Sequence, residues 1–231
     1  RCKRMLIRIM QKRDLQIIKK CCSVVYFPSK LMASYFDFKD MQILPPGCFE
    51  IENDRIINQV CTAIYIGGAS IRYGIKLLLD SAISINSEKT TLNLKLVCQE
   101  AGWRNFCSEY PQYAKYEGEW LEVYHLNAGE ELEKLYTECD YAIVPILKNL
   151  YNDFAVPVKL FEYLSHQLPV VVTDCEETGA FVKKHNIGLV AKDNEKDFSS
   201  ALIKMTENKS LRNEFINNCV SARNENLWAK R

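Results

Sequence analysis

The sequence lacks the segments and motifs that define several common classes of protein. None of its 231 residues lies in a run approaching the about 20 apolar residues of a membrane-spanning helix, so no span is predicted. The ten cysteines include no Cys-x-x-Cys pair and have no histidine at zinc-ligand spacing, which argues against a zinc site. Neither a Gly-x-Gly-x-x-Gly loop nor a Walker loop is present. A dinucleotide-binding fingerprint and a P-loop NTPase are therefore excluded.

An excess of charge of one sign is also missing. Thirty Lys and Arg against 29 Asp and Glu give a formal net charge of +1, so we expect no nucleic acid partner. Hydrophobic residues make up 48 %, which is enough for a globular core. The cysteines are scattered, and several lie in apolar runs such as residues 94–98. We interpret them as buried free thiols in a reducing cytoplasm rather than as a disulfide framework.

Residues 1–20 form a basic segment with a helical pattern. They carry eight Lys and Arg residues against Asp14 alone, and the chain opens on Arg1 already inside this pattern, so we expect a longer protein. A basic helix can lie on a membrane surface, or it can be the solvated face of a helix packed on a domain. Because Arg13 and Asp14 interrupt the apolar stripe, we favour a helix that packs on a domain. Peripheral membrane contact remains the alternative.

The segment from residue 22 to residue 58 predicts the end of one domain and a linker. A short buried strand is expected at 22–27, followed by a helix at 30–35 that Ser29 would cap. Pro45-Pro46-Gly47 breaks the next apolar run, and the following residues are polar and charged. We expect the domain boundary between residues 47 and 60.

From residue 60 to residue 225, strand and helix patterns alternate. Strands alternating with helices of about 10–15 residues predict βαβ units and a parallel sheet, hence an α/β, doubly wound fold. Residues 102–118 are aromatic and irregular, with one helical turn expected at 110–116. The predicted strands are 62–66, 92–98, 121–126, 141–146, 169–173 and 188–191.

The stretch from Pro145 to Asp174 carries the strongest candidate site. It has the pattern of a strand end, a long polar loop, an amphipathic helix that starts near Pro157, a tight turn and a buried strand. Lys159 and Glu162 are three residues apart and therefore neighbours on one helical face. Open α/β sheets bind ligands at this place, beyond the carboxyl end of a strand. The alternative is a surface ion pair, and we favour the binding site.

Two weaker candidates lie after other strands. Gly67 and Gly68 follow a strand and Arg72 comes close behind, which suits close approach of a phosphate, although a glycine pair in such a turn is often structural. His125 ends a strand, where it would lie near a nucleobase or cap backbone groups.

His166 and His185 lie near the carboxyl termini of predicted helices, where a positive charge is favourable, and we assign them no role. The aromatic residues 110–120 could stack on a base, but core packing is the better default.

The motif Pro157-x-Lys159-x-x-Glu162-Tyr163, with Leu168-Pro169-Val170-Val171 after it, resembles the C-terminal domain of GT-B glycosyltransferases of the family-four type. The similarity extends over residues 62–228. It implies the Rossmann-like half of a GT-B fold, with a nucleotide-sugar-binding domain at 59–231. Residues 1–58 would be the C-terminal remnant of the N-terminal acceptor domain and the hinge.

The resemblance implies roles for particular residues in binding the donor. Donor phosphates would contact Gly67, Gly68, Arg72 and Lys159; the ribose would contact Glu162; and the donor sugar would lie under Asn152, Asp153, Phe154, Ala155 and Val156. Two positions depart from the family pattern. Phe154 stands where the first glutamate of Glu-x7-Glu is expected, and Tyr73 stands where a phosphate-binding lysine is common.

The implied function is a glycosyltransferase, retaining by analogy, that moves a sugar from a nucleoside diphosphate donor, most plausibly UDP-linked. A polysaccharide or glycolipid would be the acceptor, and the N-terminal domain would bind it. We expect no cofactor and no obligatory metal, a cytoplasmic location with the inner membrane face as an option, and little turnover by this part alone. No catalytic residue is assigned. The alternatives are a nucleotide-sugar epimerase, which needs no acceptor, and a non-catalytic scaffold domain.

Overall fold

The computed structural model describes residues 2–52, 56 and 58–231, and these form two compact units. One unit ends at Pro45 and the other begins at Pro46. Among the described helices, none has both the length and the apolar character needed to cross a membrane.

The first unit contains two helices and two short strands. They are α1 (Cys2–Cys21), β1 (Val25–Phe27), α2 (Lys30–Ala33) and β2 (Met41–Ile43). The predicted cap is confirmed, because Ser29 Oγ accepts a hydrogen bond from the backbone N–H of Met32 at 3.0 Å. The strand expected at 22–27 is shorter and less buried than predicted. It begins at Val25, and Tyr26 is exposed; among the described residues, β1 pairs with β2 alone.

The second unit is built on one parallel sheet. Its strand order is β5-β4-β3-β6-β7-β8, so the chain reverses direction across the sheet between β3 and β6. This is the doubly wound α/β fold that the sequence predicts. The strands are β3 (Cys61–Ile66), β4 (Leu92–Val97), β5 (Leu121–Tyr124), β6 (Tyr141–Val144), β7 (Val170–Thr173) and β8 (Gly188–Ala191).

Helices cover both faces of this sheet. Because successive strand residues point to opposite faces, Val171 belongs to one buried cluster while Val170 and Val172 belong to the other. The helices are α3 (Ile75–Ile85), α4 (Glu100–Glu109), α5 (Glu130–Thr137), α6 (Leu150–Phe154), α7 (Val158–Ser165), α8 (Glu176–His185), α9 (Glu195–Glu207) and α10 (Lys209–Glu225).

The aromatic segment that follows β4 is more regular than its sequence indicates. Helix α4 occupies its first half, where only irregular structure was expected, and a 3₁₀ helix spans Pro111–Tyr116. Trp103 and Phe106 are three residues apart, so their rings turn to the same side and stack on each other, and Phe106 also stacks on Tyr113. All three side chains are buried. Within the predicted aromatic cluster, Tyr113 and Trp120 are buried in the core, while Tyr110 and Tyr116 are partly buried against it, so the default of core packing is confirmed.

One buried hydrogen bond joins α7 to the end of β3. The backbone N–H of Ile66 donates to the hydroxyl of Tyr163 at 2.9 Å. Tyr163 is fully buried, and burial raises the pKa of its hydroxyl well above the ordinary value, so it stays neutral. The bond satisfies the last N–H of β3 and fixes the distance between this strand and α7.

We predict that Tyr163→Phe lowers the free energy of unfolding by about 1–3 kcal/mol, because it leaves the buried N–H of Ile66 without its acceptor. Urea unfolding of the variant and the unchanged chain measures the difference. Tyr151→Phe is the matched control, since Tyr151 is 68 % exposed. A loss no larger than that of the control would contradict the prediction.

The cysteines divide by exposure, which corrects the expectation of uniformly buried thiols. Cys48 and Cys98 are buried, and burial raises the pKa of Cys48 to about 11 and that of Cys98 to about 12. Cys21 and Cys22 are exposed, because they lie at and just beyond the end of α1.

We therefore predict that a thiol reagent modifies Cys21 and Cys22 in the native chain, whereas Cys48 and Cys98 react only after unfolding. The thiolate is the reactive form, and both burial and a raised pKa suppress it. Peptide mass spectrometry after timed alkylation, with and without denaturant, measures the order. Modification of Cys98 at the rate of Cys21 in the native state would contradict the burial described here.

Candidate functional site

A cavity of about 470 Å³ opens at the carboxyl ends of β3, β4 and β5. It lies beside the point where the strand order reverses, which is where open α/β sheets bind their ligands. Three strand ends, α5, α7 and the segment after Pro46 form its walls. Its lining residues include Phe49, Ile51, Gly67, Tyr136, Lys159, Glu162 and His166.

The helix α7 supplies the charged groups of this cavity. Lys159 and Glu162 both line it, and Lys159 Nζ forms an ion pair with Glu162 Oε2. The two interpretations of this pair therefore coexist, since the i,i+3 ion pair is formed and it faces a cavity. Both side chains are about one-third exposed, so a ligand can reach them. The arrangement offers one cation and one carboxylate within a single binding volume.

Two residues without a predicted role complete this wall. The Tyr136 hydroxyl donates to Glu162 Oε2 at 3.3 Å, and its ring stacks on His166 with centroids 3.9 Å apart. His166 is buried, with Nε2 lying 3.3 Å from Glu133 Oε2. Partial burial, and then the charge of Glu162, raise the pKa of Glu133. His166 follows Glu162 by four residues, so helical spacing was the signal that could have revealed it.

The segment after Pro46, read from sequence as a polar linker, forms another wall. Phe49 N–H donates to Ser165 Oγ at 2.9 Å, and the Ile51 carbonyl accepts from Arg223 at 2.7 Å. These contacts join residues 116 and 172 positions apart in the chain. Local sequence patterns therefore carry no signal for this wall.

The glycine pair is required by two tyrosine rings. A Cβ at Gly67 would lie 2.5 Å from the Tyr65 hydroxyl, and a Cβ at Gly68 would lie 2.5 Å from the ring of Tyr73. The Tyr65 hydroxyl also donates to the Gly68 carbonyl at 3.0 Å. Gly67 lines the 470 Å³ cavity, whereas Gly68 packs against Tyr73. The turn thus has a structural need for glycine whether or not a ligand approaches it.

Arg72 lines a different cavity of about 340 Å³, together with Tyr73, Asn149, Tyr151 and Asn152. Its guanidinium donates to the Tyr73 hydroxyl at 3.1 Å and lies 5.1 Å from the centre of that ring. Among the four residues predicted to contact phosphates, the structure thus places Gly67 and Lys159 in the larger cavity and Arg72 in the smaller one.

The segment predicted to be a long polar loop contains the five-residue helix α6. Asn149 causes this, because its side chain accepts from the backbone N–H of Asn152 at 3.0 Å and caps the helix. Asp153 accepts from Glu176 N–H at 3.1 Å and so ties α6 to α8. Of residues 152–156, Asn152 lines the smaller cavity, while Val156 packs against the core and Phe154 and Ala155 are half-buried.

His125 follows β5 and contacts the backbone of the neighbouring strand. Its Nδ1 lies 3.0 Å from the carbonyl of Cys98, which is the capping alternative. The next residues, 126–128, line the 470 Å³ cavity, so the vicinity of a nucleobase stays a prediction. Within the described part of the chain, no group of three or more His, Cys, Asp or Glu side chains could hold a metal ion.

Several solved structures share the fold of this chain at low sequence identity. Sucrose-phosphate synthase from Thermosynechococcus elongatus superposes with a TM-score of 0.75 at 15 % identity, over 94 % of this chain and 58 % of that one. WaaG, a glycosyltransferase involved in lipopolysaccharide biosynthesis, gives 0.64 at 16 % identity, over 87 % and 57 %. The C-terminal domain of a glycosyl transferase group 1 family protein from Francisella tularensis gives 0.58 at 14 %, over 72 % and 85 %.

These similarities show the fold, and the chain spans less than two thirds of the length of the first two proteins. No curated protein matches the chain in sequence. The family model described as glycosyl transferases group 1 matches residues 61–208. That match covers more than half of the chain and the whole sheet, so the protein belongs to the group 1 glycosyl transferases, with a Rossmann-like half of the GT-B fold.

Proposed function

We propose that this chain binds the donor in a glycosyltransferase that moves a sugar from a nucleoside diphosphate to a polysaccharide or glycolipid acceptor. UDP is the favoured nucleotide. The observation that carries the proposal is the 470 Å³ cavity at the reversal point of the sheet, with Lys159 and Glu162 together in its wall. The lipopolysaccharide role stated for WaaG supports this class of acceptor. The free cysteines suit a reducing compartment, so we propose a cytoplasmic location, with the inner membrane face as an option.

The residues of the larger cavity suit the nucleoside and the first phosphate. The carboxylate of Glu162 can accept hydrogen bonds from the two vicinal hydroxyls of a ribose. Lys159 offers a point charge to a phosphate, and the backbone at Gly67 allows close approach. The loops after β4 and β5 offer backbone donors and acceptors to a base.

In the proposed reaction, the bond between the anomeric carbon and the diphosphate oxygen breaks, and a bond to the acceptor hydroxyl oxygen forms. The diphosphate leaves with the bonding electron pair, and the acceptor proton is released. Lys159 and Arg72 would stabilise the negative charge that develops on the leaving diphosphate, so the proposal needs no obligatory metal. Retention at the anomeric carbon is part of the proposal by family analogy.

We propose that residues 1–58 are the end of an acceptor domain and the hinge, and that residues 59–231 are the donor domain. The first unit supports this, because its buried core contains only Phe27, Ala33 and Phe38 among the described residues, too few for a stable domain. Apolar side chains of α1 such as Leu6 and Met10 are exposed. The remainder of an acceptor domain would cover them, and contact with an anionic membrane face is the alternative.

A scaffold domain without catalysis is the second candidate, and a specific observation favours it. The ring of Tyr73 lies against Gly68, at a position where the family commonly has a phosphate lysine. Phe154, which replaces the first family glutamate, is half-buried. An epimerase has no comparable support, and it would differ by reacting in the absence of any acceptor.

We predict that the chain binds one of UDP, GDP and ADP, and that Glu162→Ala weakens this binding at least about tenfold. A charged hydrogen bond to the ribose is worth about 1.5–3 kcal/mol, and 1.4 kcal/mol is a factor of ten. Isothermal titration calorimetry measures the dissociation constants. Glu119→Ala is the control, because Glu119 is exposed and lies outside the cavity. A folded chain that binds none of the three nucleotides would overturn the donor role and favour the scaffold.

We also predict that Arg72→Gln weakens UDP about three- to tenfold and UMP less than about twofold. The guanidinium would contact the outer phosphate, which UMP lacks, and one charge-assisted contact accounts for this range. Calorimetry with both nucleotides measures the ratio. Arg104→Gln is the control, because Arg104 is an exposed arginine of α4 that pairs with Glu100. Equal losses for UDP and UMP would place Arg72 away from the outer phosphate.

A further inference from the structure

Building on the function proposed above, we infer that Tyr136 is a positioning residue that holds the Glu162 carboxylate and thereby sets the preference of the site for ribonucleotides. Tyr136 belongs to α5, and Glu162 belongs to α7. The Tyr136 hydroxyl therefore joins α5 to α7, through the carboxylate that would contact the ribose.

The Tyr136 ring is held from two sides. It is 2 % exposed and stacks nearly parallel on His166, at 17° and 3.9 Å between centroids. The ring of Tyr163 packs edge-on against it, with centroids 6.2 Å apart and an interplanar angle of 71°. Tyr163 is itself fixed by its hydrogen bond to Ile66. The position of the Tyr136 hydroxyl is thus set by packing that exists before a ligand binds.

The hydroxyl contacts one particular oxygen of the carboxylate. Glu162 Oε2 accepts from Tyr136 and from Lys159 Nζ, whereas the described residues place no donor on Oε1. Two donors on one oxygen restrict rotation of the carboxylate about its last torsion. Oε1 then keeps its lone pairs for a ligand hydroxyl, in a side chain that lines the cavity.

Tyr136 and Lys159 differ in how firmly they can hold this oxygen. Burial, and then the charge of Glu162, raise the pKa of Tyr136 above its ordinary value, so the phenol keeps its proton and remains a donor. Lys159 is 37 % exposed on a flexible side chain, and a phosphate would compete for its ammonium. Once a nucleotide is bound, Tyr136 is the donor that stays with Glu162.

A fixed carboxylate distinguishes ligands by their hydroxyl groups. A site organised around a ligand hydroxyl rejects an analogue that lacks it, because the polar group of the protein is then left without its partner. If the carboxylate can rotate, part of the binding free energy is spent in ordering it, and the discrimination falls. Loss of the Tyr136 hydroxyl should therefore weaken the binding of ribonucleotides more than that of 2′-deoxy analogues, which keep only one of the two vicinal hydroxyls.

The test measures dissociation constants for UDP and 2′-deoxy-UDP by calorimetry in the chain and in Tyr136→Phe. We expect the variant to bind UDP about three- to tenfold more weakly, the effect of one hydrogen bond to a charged group, and 2′-deoxy-UDP less than about twofold more weakly. In a Glu162→Gln background, Tyr136→Phe should change UDP binding by less than about twofold. Tyr110→Phe is the matched control, since it removes a tyrosine–glutamate hydrogen bond of 2.8 Å at the end of α4.

A second variant tests the inference without changing Tyr136. Lys159→Met should weaken both nucleotides to a similar extent and keep the ratio between them, because Tyr136 still holds Glu162. The positioning role would be overturned if Tyr136→Phe weakened the binding of UDP and of 2′-deoxy-UDP equally. It would also be overturned if Tyr136→Phe weakened UDP binding in the Glu162→Gln background as much as in the unchanged chain. If Lys159→Met abolished the preference for UDP over 2′-deoxy-UDP, the lysine and not Tyr136 would be the positioning residue. A chain that binds neither nucleotide would overturn the proposed function, and the positioning role with it.

Discussion

The hydrogen bond from Ile66 N–H to the Tyr163 hydroxyl is the constraint on which the site depends. The last residue of a parallel strand leaves a backbone N–H that must be satisfied if it is buried. Here a side chain of α7 satisfies it, so the helix cannot move away from β3 without exposing that group. Because Glu162 precedes Tyr163 in the same helix, the bond that completes the strand also places the carboxylate at the strand end. One contact therefore contributes both to stability and to the geometry of the cavity.

A second constraint acts in the glycine turn, where two tyrosine side chains leave little room for a Cβ atom. Tyr65 and Tyr73 occupy the directions in which Cβ atoms of Gly67 and Gly68 would point. The glycines are thus explained by packing alone, and their presence is weaker support for a phosphate site than the sequence indicates. Arg72 gains its orientation from Tyr73, through a hydrogen bond and contact with the ring. The departure at Tyr73 therefore changes how the neighbouring cation is held as well as removing a lysine.

The sequence predicts the elements whose signals are local. The six strands of the large sheet, the cap at Ser29 and the pairing of Lys159 with Glu162 follow from alternation, side-chain chemistry and helical spacing. The helix α4 was missed because aromatic residues have no strong helix propensity, and their burial against Tyr113 decides the structure. Phe49 and Tyr136 could not be placed in the cavity, since their positions depend on contacts between distant parts of the chain.

The separation of the candidate residues into two cavities limits what each departure from the family pattern can affect. Glu162, Lys159 and Gly67 share the larger cavity, where neither Phe154 nor Tyr73 is a lining residue. Tyr73 and Asn152 line the smaller one with Arg72. A nucleoside diphosphate held by Glu162 would have to pass the glycine turn to bring its outer phosphate to Arg72. If the donor binds as proposed, a change at Tyr73 would act near the outer phosphate, whereas Phe154 lines neither of the two cavities. Recognition of the nucleoside would then persist even where transfer is altered.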